Sequence, residues 1–200
     1  MNTLEAFNQA LFLVINATPA TPIWQIDMAR WIADYVVYLV PLCLIAMWLF
    51  GDERQREAGL RACCVTFLAL GINQLIGLAW PHPRPFAMGI GHAFLDHAPD
   101  PSFPSDHGTI FASVALTLLM AGVRRYGFVI LLAGVVMAWA RIFLGVHFPL
   151  DMAGAVVVTG VTYLLIAPLW RLAGASVTRG LIVVYRKLMA WPIERGWLSL

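Results

Sequence analysis

The 200-residue sequence is poor in charge. Lys, Arg, Asp and Glu together make up 12% of it, about half the ~25% usual in soluble domains. Hydrophobic residues reach 60%, and the mean hydropathy is +0.78. A chain of this size cannot cover so much apolar side chain with so few charges in water. That excludes an ordinary soluble enzyme and a disordered tail. Cysteine is scarce as well. Cys43, Cys63 and Cys64 lie in apolar runs without metal-ligand spacing. This excludes a disulfide scaffold, and the three read as small buried hydrophobes. The net charge of +2 is too small to suggest a nucleic-acid partner. The N-terminal stretch has no basic region and carries Glu5, so no cleavable signal peptide is expected. With neither internal repeat nor low-complexity linker, residues 1–200 read as a single membrane-embedded domain.

What the sequence does have is long uncharged stretches, each near the ~17–25 residues that cross a bilayer as a helix. They predict an all-α polytopic bundle with about five spans, at roughly 31–50, 60–80, 105–122, 126–144 and 151–170. Threading five spans puts ten of the 13 basic residues on one side: Arg54, Arg56, Arg61, Arg124, Arg125, Arg171, Arg179, Arg186, Lys187 and Arg195. The excess of Lys and Arg in cytoplasmic loops assigns that side to the cytoplasm. Loops 81–104 and 145–150 then face outward, with Arg30, Arg84, Arg141 and all five histidines. Trp31 and Trp80 fall at outer ends, Trp48 and Trp170 at inner ends, as interfacial aromatic belts require. Residues 3–16 place Leu4, Phe7, Leu11 and Val14 at helical spacing and suit a helix in the outer interface. Residues 177–192 mix basic and apolar residues and read as a second interfacial helix, on the cytoplasmic side, with a sixth, poor span as the alternative.

The outer loops gather the reactive side chains. Ser105 stands just before an apolar helical run, a normal N-cap position. The backbone N–H groups of Asp106, His107 and Gly108 are then the orphan donors of a helix N-terminus, which favours anions. Arg84 and Arg141 add planar forks of donors that match phosphate oxygens. A histidine can attack phosphorus or act as general acid. Asp151 lies four residues after His147, so it can bond one ring nitrogen and leave the other free. Singly, each has a plainer reading as a cap, a snorkelling cation or a surface histidine. Together, on one side of the membrane, they form a phosphate cradle with a nucleophile.

The three pieces Arg84-Pro85, Pro104-Ser105-Asp106-His107 and Arg141-x5-His147-x3-Asp151 resemble the type-2 phosphatidic acid phosphatase superfamily, which includes the vanadium haloperoxidases. The motif core spans 84–151. The resemblance implies that His147 attacks phosphorus to form a phosphohistidine, that Asp151 orients His147, and that His107 protonates the leaving oxygen and then activates water. It implies that Arg84, Ser105 and Arg141 hold the phosphoryl oxygens, and that no metal or other cofactor is needed.

Gly77 departs from the family pattern, which has lysine seven residues before the arginine. Asn73, Gln74 or His82 are candidate substitutes. Asp106 departs too, since the usual residue there is glycine. It reads either as an accessory group that positions His107 or a donor, or as an acid at a helix start. Ala140, where serine is common, is a smaller change. Gly77 with Asp106, Pro-Arg-Pro-Phe (83–86) and Ser-Phe-Pro-Ser-Asp-His (102–107) is similar to the bacitracin-resistance-type undecaprenyl pyrophosphate phosphatases. That branch implies hydrolysis of undecaprenyl diphosphate to undecaprenyl phosphate and inorganic phosphate. It implies a polyprenyl diphosphate lipid as partner and a multi-pass protein of the bacterial inner membrane, with its site on the outer face. The alternatives are a phosphatase for phosphatidylglycerophosphate, phosphatidic acid or lipid A, and a non-catalytic protein that binds anionic headgroups.

Overall fold

The computed structural model describes residues 3–199, and the regular structure in them is helical. Eight helices follow in order: α1 (Thr3–Ile15), α2 (Ile23–Tyr35), α3 (Leu39–Phe50), α4 (Glu53–Ala79), α5 (Asp106–Met120), α6 (Arg124–Phe143), α7 (Pro149–Leu188) and α8 (Ala190–Glu194). A 3-10 turn, Val36–Tyr38, joins α2 to α3. Pro41 sits just beyond it in the first turn of α3. Proline has no N–H to give the carbonyl four residues back, and its ring crowds that carbonyl, so the preceding turn tightens. The continuous stretch Ile23–Phe50 and helices α4, α6 and α7 are each long and apolar enough to cross a membrane. The fold is an all-α membrane bundle, as the uncharged stretches predict.

The boundaries differ from that expectation wherever a charge finds a partner. The first span starts at Ile23 rather than near 31, because Arg30 and Asp27 pair at 3.1 Å one helical turn apart. Helix α4 starts at Glu53, capped by Asp52, which accepts the Gln55 N–H at 2.8 Å while Gln55 reaches back to the Asp52 N–H. Its cations do not end it: Arg56 is buried, and Arg61 lies over the Tyr163 ring at 4.3 Å. Residues 151–170 and 177–188 form one helix, since α7 runs unbroken for 40 residues. That is about 60 Å of helix, twice the ~30 Å hydrocarbon core. Pro168 removes one rung of its ladder. Near the end of α7, the Tyr185 hydroxyl returns to the Leu49 carbonyl, so its last turns pack beneath the α3–α4 turn.

Helix α5 has only 15 residues, about 22 Å. It lies against α4, α6 and α7. Phe111, Val114, Ala115 and Leu118 carry the main apolar core, with Met47, Ala58, Ala62, Ile130 and Met137 around them. Ser113 and Thr159 satisfy each other across α5 and α7 at 3.1 Å. The outward faces are apolar, as a lipid-facing surface requires; Leu78, Leu132 and Leu164 are all exposed. Cys64 is exposed on that surface rather than buried.

Helix α1 presents Leu4, Phe7, Leu11 and Val14 outward. Its other face buries Phe12 edge-on against Phe148 at 5.2 Å and Asn8, which accepts the Leu150 N–H at 3.0 Å. Asn16, just beyond α1, holds the backbone of His92 and Phe143. This helix therefore clamps the turn between α6 and α7. Gly145 makes that turn possible. Its φ of +84° favours glycine, and a Cβ there would strike the His92 carbonyl.

Candidate active site

The sharp turn at Gly145 brings His147 back under the end of α6 and leads directly into α7, whose first turn carries Asp151. Both are buried. Asp151 Oδ2 accepts the Phe148 N–H at 2.7 Å and the Ser102 hydroxyl, and it lies 3.1 Å from His147 Nδ1. The opposite ring nitrogen, Nε2, lies 3.0 Å from Arg84 Nη1 and 3.4 Å from Ser105 Oγ. A guanidinium can only donate. So Nε2 is the bare nitrogen, and the ring proton sits on Nδ1, facing the carboxylate. Burial, reinforced by the charges of Arg141 and Arg84, pushes the His147 pKa well below its ordinary value. The imidazole is neutral, and its lone pair points at a cationic pocket.

That pocket is a cavity of about 220 Å³ where loop 81–104 meets the ends of α4, α5 and α6. Arg84 is held from several sides. Its Nε donates to Asp100 Oδ1 at 3.0 Å, and its Nη1 donates to the Val146 carbonyl at 2.9 Å. Asp100 titrates low: burial alone would raise it, but the hydrogen bond and charge of Arg84 outweigh that. Arg141, from the last turn of α6, is buried but less occupied. Its Nη1 lies 3.5 Å from His107 Nε2, and its Nε has no partner among the described residues. Ser105 caps α5 by accepting the Gly108 N–H at 3.3 Å. The helix therefore opens at the cavity, and His107 lines it.

All six residues singled out by the motifs, Arg84, Ser105, His107, Arg141, His147 and Asp151, meet within this one region. The two accessory candidates meet as well, but in each other. Asp106 Oδ1 accepts from Asn73 Nδ2 at 2.9 Å, and Asp106 Oδ2 accepts from Gln74 Nε2 at 3.2 Å. Asn73 also donates to Thr109 at 2.9 Å. Asp106 thus ties α5 to α4 rather than to His107. Gly77 itself lines the cavity with Pro101 beside it, and a Cβ there would sit in ordinary contact with Pro101, at 3.4 Å. His82 lines a separate cavity beside α1 and faces Glu5 at 3.6 Å, so it cannot stand in for the absent lysine. His92 also lies away from the site, its backbone held by Asn16.

Besides Asp100, which holds Arg84, two participants were not read from the sequence. Ser102 is buried and donates to Asp151 Oδ2, 49 positions away along the chain. His97 lines the cavity, its ring centroid 6.4 Å from that of His147. Both lie in irregular loop, where no periodicity marks a side chain's direction.

The comparisons agree with the geometry. The family model of the PAP2 superfamily matches residues 58–174, which contain every residue that lines the cavity. "Putative undecaprenyl-diphosphatase YbjG" of Escherichia coli strain K12 is 38% identical over 195 residues, 98% of each chain. "Undecaprenyl-diphosphatase BcrC" of Bacillus subtilis strain 168 is 36% identical over 127 residues, 64% of this chain and 65% of that one. The crystal structure of a PAP2-type phosphatidylglycerolphosphate phosphatase from Bacillus subtilis superposes with a TM-score of 0.60 at 18% identity, over 84% of this chain and 87% of that one. A profile match that brackets every motif residue, joined to a relative alignable almost end to end, makes this chain a member of the PAP2 superfamily.

Proposed function

We propose that the protein hydrolyses undecaprenyl diphosphate to undecaprenyl phosphate and inorganic phosphate, at a site on the outer face of the bacterial inner membrane. The observation that carries the chemistry is the His147 ring, with Nδ1 committed to Asp151 and a bare Nε2 facing Arg84 and Ser105. The names of the two relatives supply the substrate. The ten basic residues at the opposite end of the bundle supply the orientation.

In the first step Nε2 of His147 attacks the terminal phosphorus. The N–P bond forms as the bond from phosphorus to the bridging oxygen breaks, and undecaprenyl phosphate leaves with a proton from His107. Phosphorylation makes the His147 ring cationic, and the Asp151 carboxylate offsets that charge. Arg84, Arg141 and the N-terminus of α5 stabilise the equatorial oxygens, where charge accumulates. In the second step His107 takes a proton from water, the oxygen attacks phosphorus, and the N–P bond breaks. Inorganic phosphate leaves, and His147 recovers its neutral form.

The test is phosphate release by the purified protein in detergent with EDTA present. Undecaprenyl diphosphate, phosphatidic acid and phosphatidylglycerophosphate are compared, with mass spectrometry of enzyme quenched in alkaline denaturant, where the N–P bond survives, to detect phosphohistidine. Preference for the diphosphate with a phosphoryl group on His147 is expected. Preference for a glycerophospholipid would overturn the substrate, and turnover without phosphohistidine would overturn the mechanism.

A further inference from the structure

His97 belongs to none of the three motifs, yet it lines the same cavity as His147, Arg84 and Arg141. Its side chain is 22% exposed. Its Nδ1 faces the Ala98 carbonyl at 3.0 Å and Asp100 Oδ1 at 3.4 Å. Both are acceptors, so Nδ1 carries the ring proton in the neutral form. Nε2 is then bare until the ring takes a second proton. Asp100 also receives Arg84 Nε at 3.0 Å. One carboxylate thereby fixes both the arginine at the nucleophile and the imidazole beside it.

We infer that His97 is a specificity residue: as an imidazolium it binds the phosphoryl group of a diphosphate that is not under attack. This rests on the diphosphate reading proposed above. A monoester and a diphosphate share the group that His147 attacks. They differ in a second anionic group immediately beyond it, and recognition of that group needs a donor beyond those surrounding His147 Nε2. His97 is the imidazole available for it. The groups facing His97 are Arg84 from the loop after α4, Asp100 from its own loop, His107 of α5, Arg141 of α6 and His147 from the α6–α7 turn. Burial lowers the His97 pKa, with the charges of Arg84 and Arg141 adding to the effect. A bound diphosphate neutralises those two cations and draws a proton onto His97. Binding of the diphosphate therefore takes up a proton, and the preference for it weakens as pH rises.

The experiment measures kcat/KM for undecaprenyl diphosphate and phosphatidic acid, from about pH 5.5 to about pH 8.5. It uses the full-length wild type, His97→Ala and His97→Gln. The expected wild-type ratio of diphosphate to monoester falls with rising pH. His97→Ala lowers that ratio about tenfold, the loss of one charged hydrogen bond. His97→Gln keeps part of the preference and loses its pH dependence, because an amide donates without first taking up a proton. Equal losses on both substrates in His97→Ala, or a wild-type pH dependence in His97→Gln, would overturn the inference alone. A wild type without diphosphate preference would overturn both it and the substrate reading.

Discussion

Arginine is buried at both ends of this bundle, and the two ends use it differently. At the α3–α4 end, Arg56 is 1% exposed. Its Nε donates to the Trp48 carbonyl at 2.9 Å, and its Nη2 donates to the Ser199 carbonyl and hydroxyl at 2.9 Å. The guanidinium lies 4.9 Å from the centre of the Tyr185 ring. Its Nε and Nη2 are spent on neutral partners, which pin the C-terminal segment to the α3–α4 turn. At the cavity end, Arg141 is buried almost as deeply, with Nε unpartnered among the described residues and only a 3.5 Å contact to His107. A buried cation with idle donors costs stability. Saturation of donors, rather than burial, separates Arg56 from Arg141.

The comparison is sharpened most by His147→Ala. Phosphate release should fall by at least ~10⁴-fold while the melting temperature in detergent stays near wild type. Residual turnover within tenfold of wild type would remove His147 as nucleophile. The next test sets the two arginines against each other. Arg141→Lys should lower kcat/KM about 10²-fold, because an ammonium cannot reproduce the bidentate fork, with no loss of thermal stability. Arg56→Ala should do the reverse: melting lowered by roughly 5–10 °C and little change in kcat/KM per folded molecule. If Arg141→Lys also melts early, the distinction between spent and idle donors fails. Ser102→Ala comes third, with kcat down about tenfold, since it frees Asp151 from one of the groups that aim it at His147. Unchanged kcat would make that hydroxyl a packing group.

The motif residues were legible because a charge in an apolar sequence is conspicuous, and because helix ends bring such charges together. The same argument failed wherever a charge had a private partner. Arg56 and Arg61 looked like loop residues, yet Trp48, Ser199 and Tyr163 let them ride inside or against α4. Arg179, whose Nε donates to the Ala175 carbonyl at 3.2 Å, did not end α7. Topology put all five histidines at one end, but it could not say which reach the cavity; His82 and His92 do not. Ser102 and His97 were invisible for a further reason. The direction of Ser102 is set by a tertiary contact to Asp151 and that of His97 by a local contact to Asp100 within an irregular loop, not by any repeat in the chain.

The buried, neutral His147 also gives the cavity end its own pH dependence. Its folded pKa is depressed by burial and by Arg141 and Arg84. Below the ordinary value of 6.5, the unfolded chain therefore binds a proton that the folded chain refuses. Stability is full above that pH and declines as pH falls below it. Melting measured from about pH 7.5 down to about pH 5 should drop in the wild type and drop less in His147→Gln. A parallel decline in both would trace the acid sensitivity to other groups.

The smallest expected effect separates the two ends again, through their helix caps. Asp52 caps α4 at one end, and Ser105 caps α5 at the other. Either alanine variant loses one cap, worth about 1 kcal/mol, or roughly 2–4 °C in melting for a chain of this length. The energetic loss is nearly the same, but the neighbours are not. Among the described residues the Asp52 carboxylate bonds only Gln55, whereas Ser105 Oγ also sits 3.4 Å from His147 Nε2 beside the cavity. Asp52→Ala should therefore melt slightly early and turn over normally. Ser105→Ala should melt equally early and turn over about tenfold more slowly, having lost a donor to the phosphoryl oxygens. If both variants turned over normally, Ser105 would be a cap like Asp52, and the cradle would reduce to the two arginines and the backbone of α5.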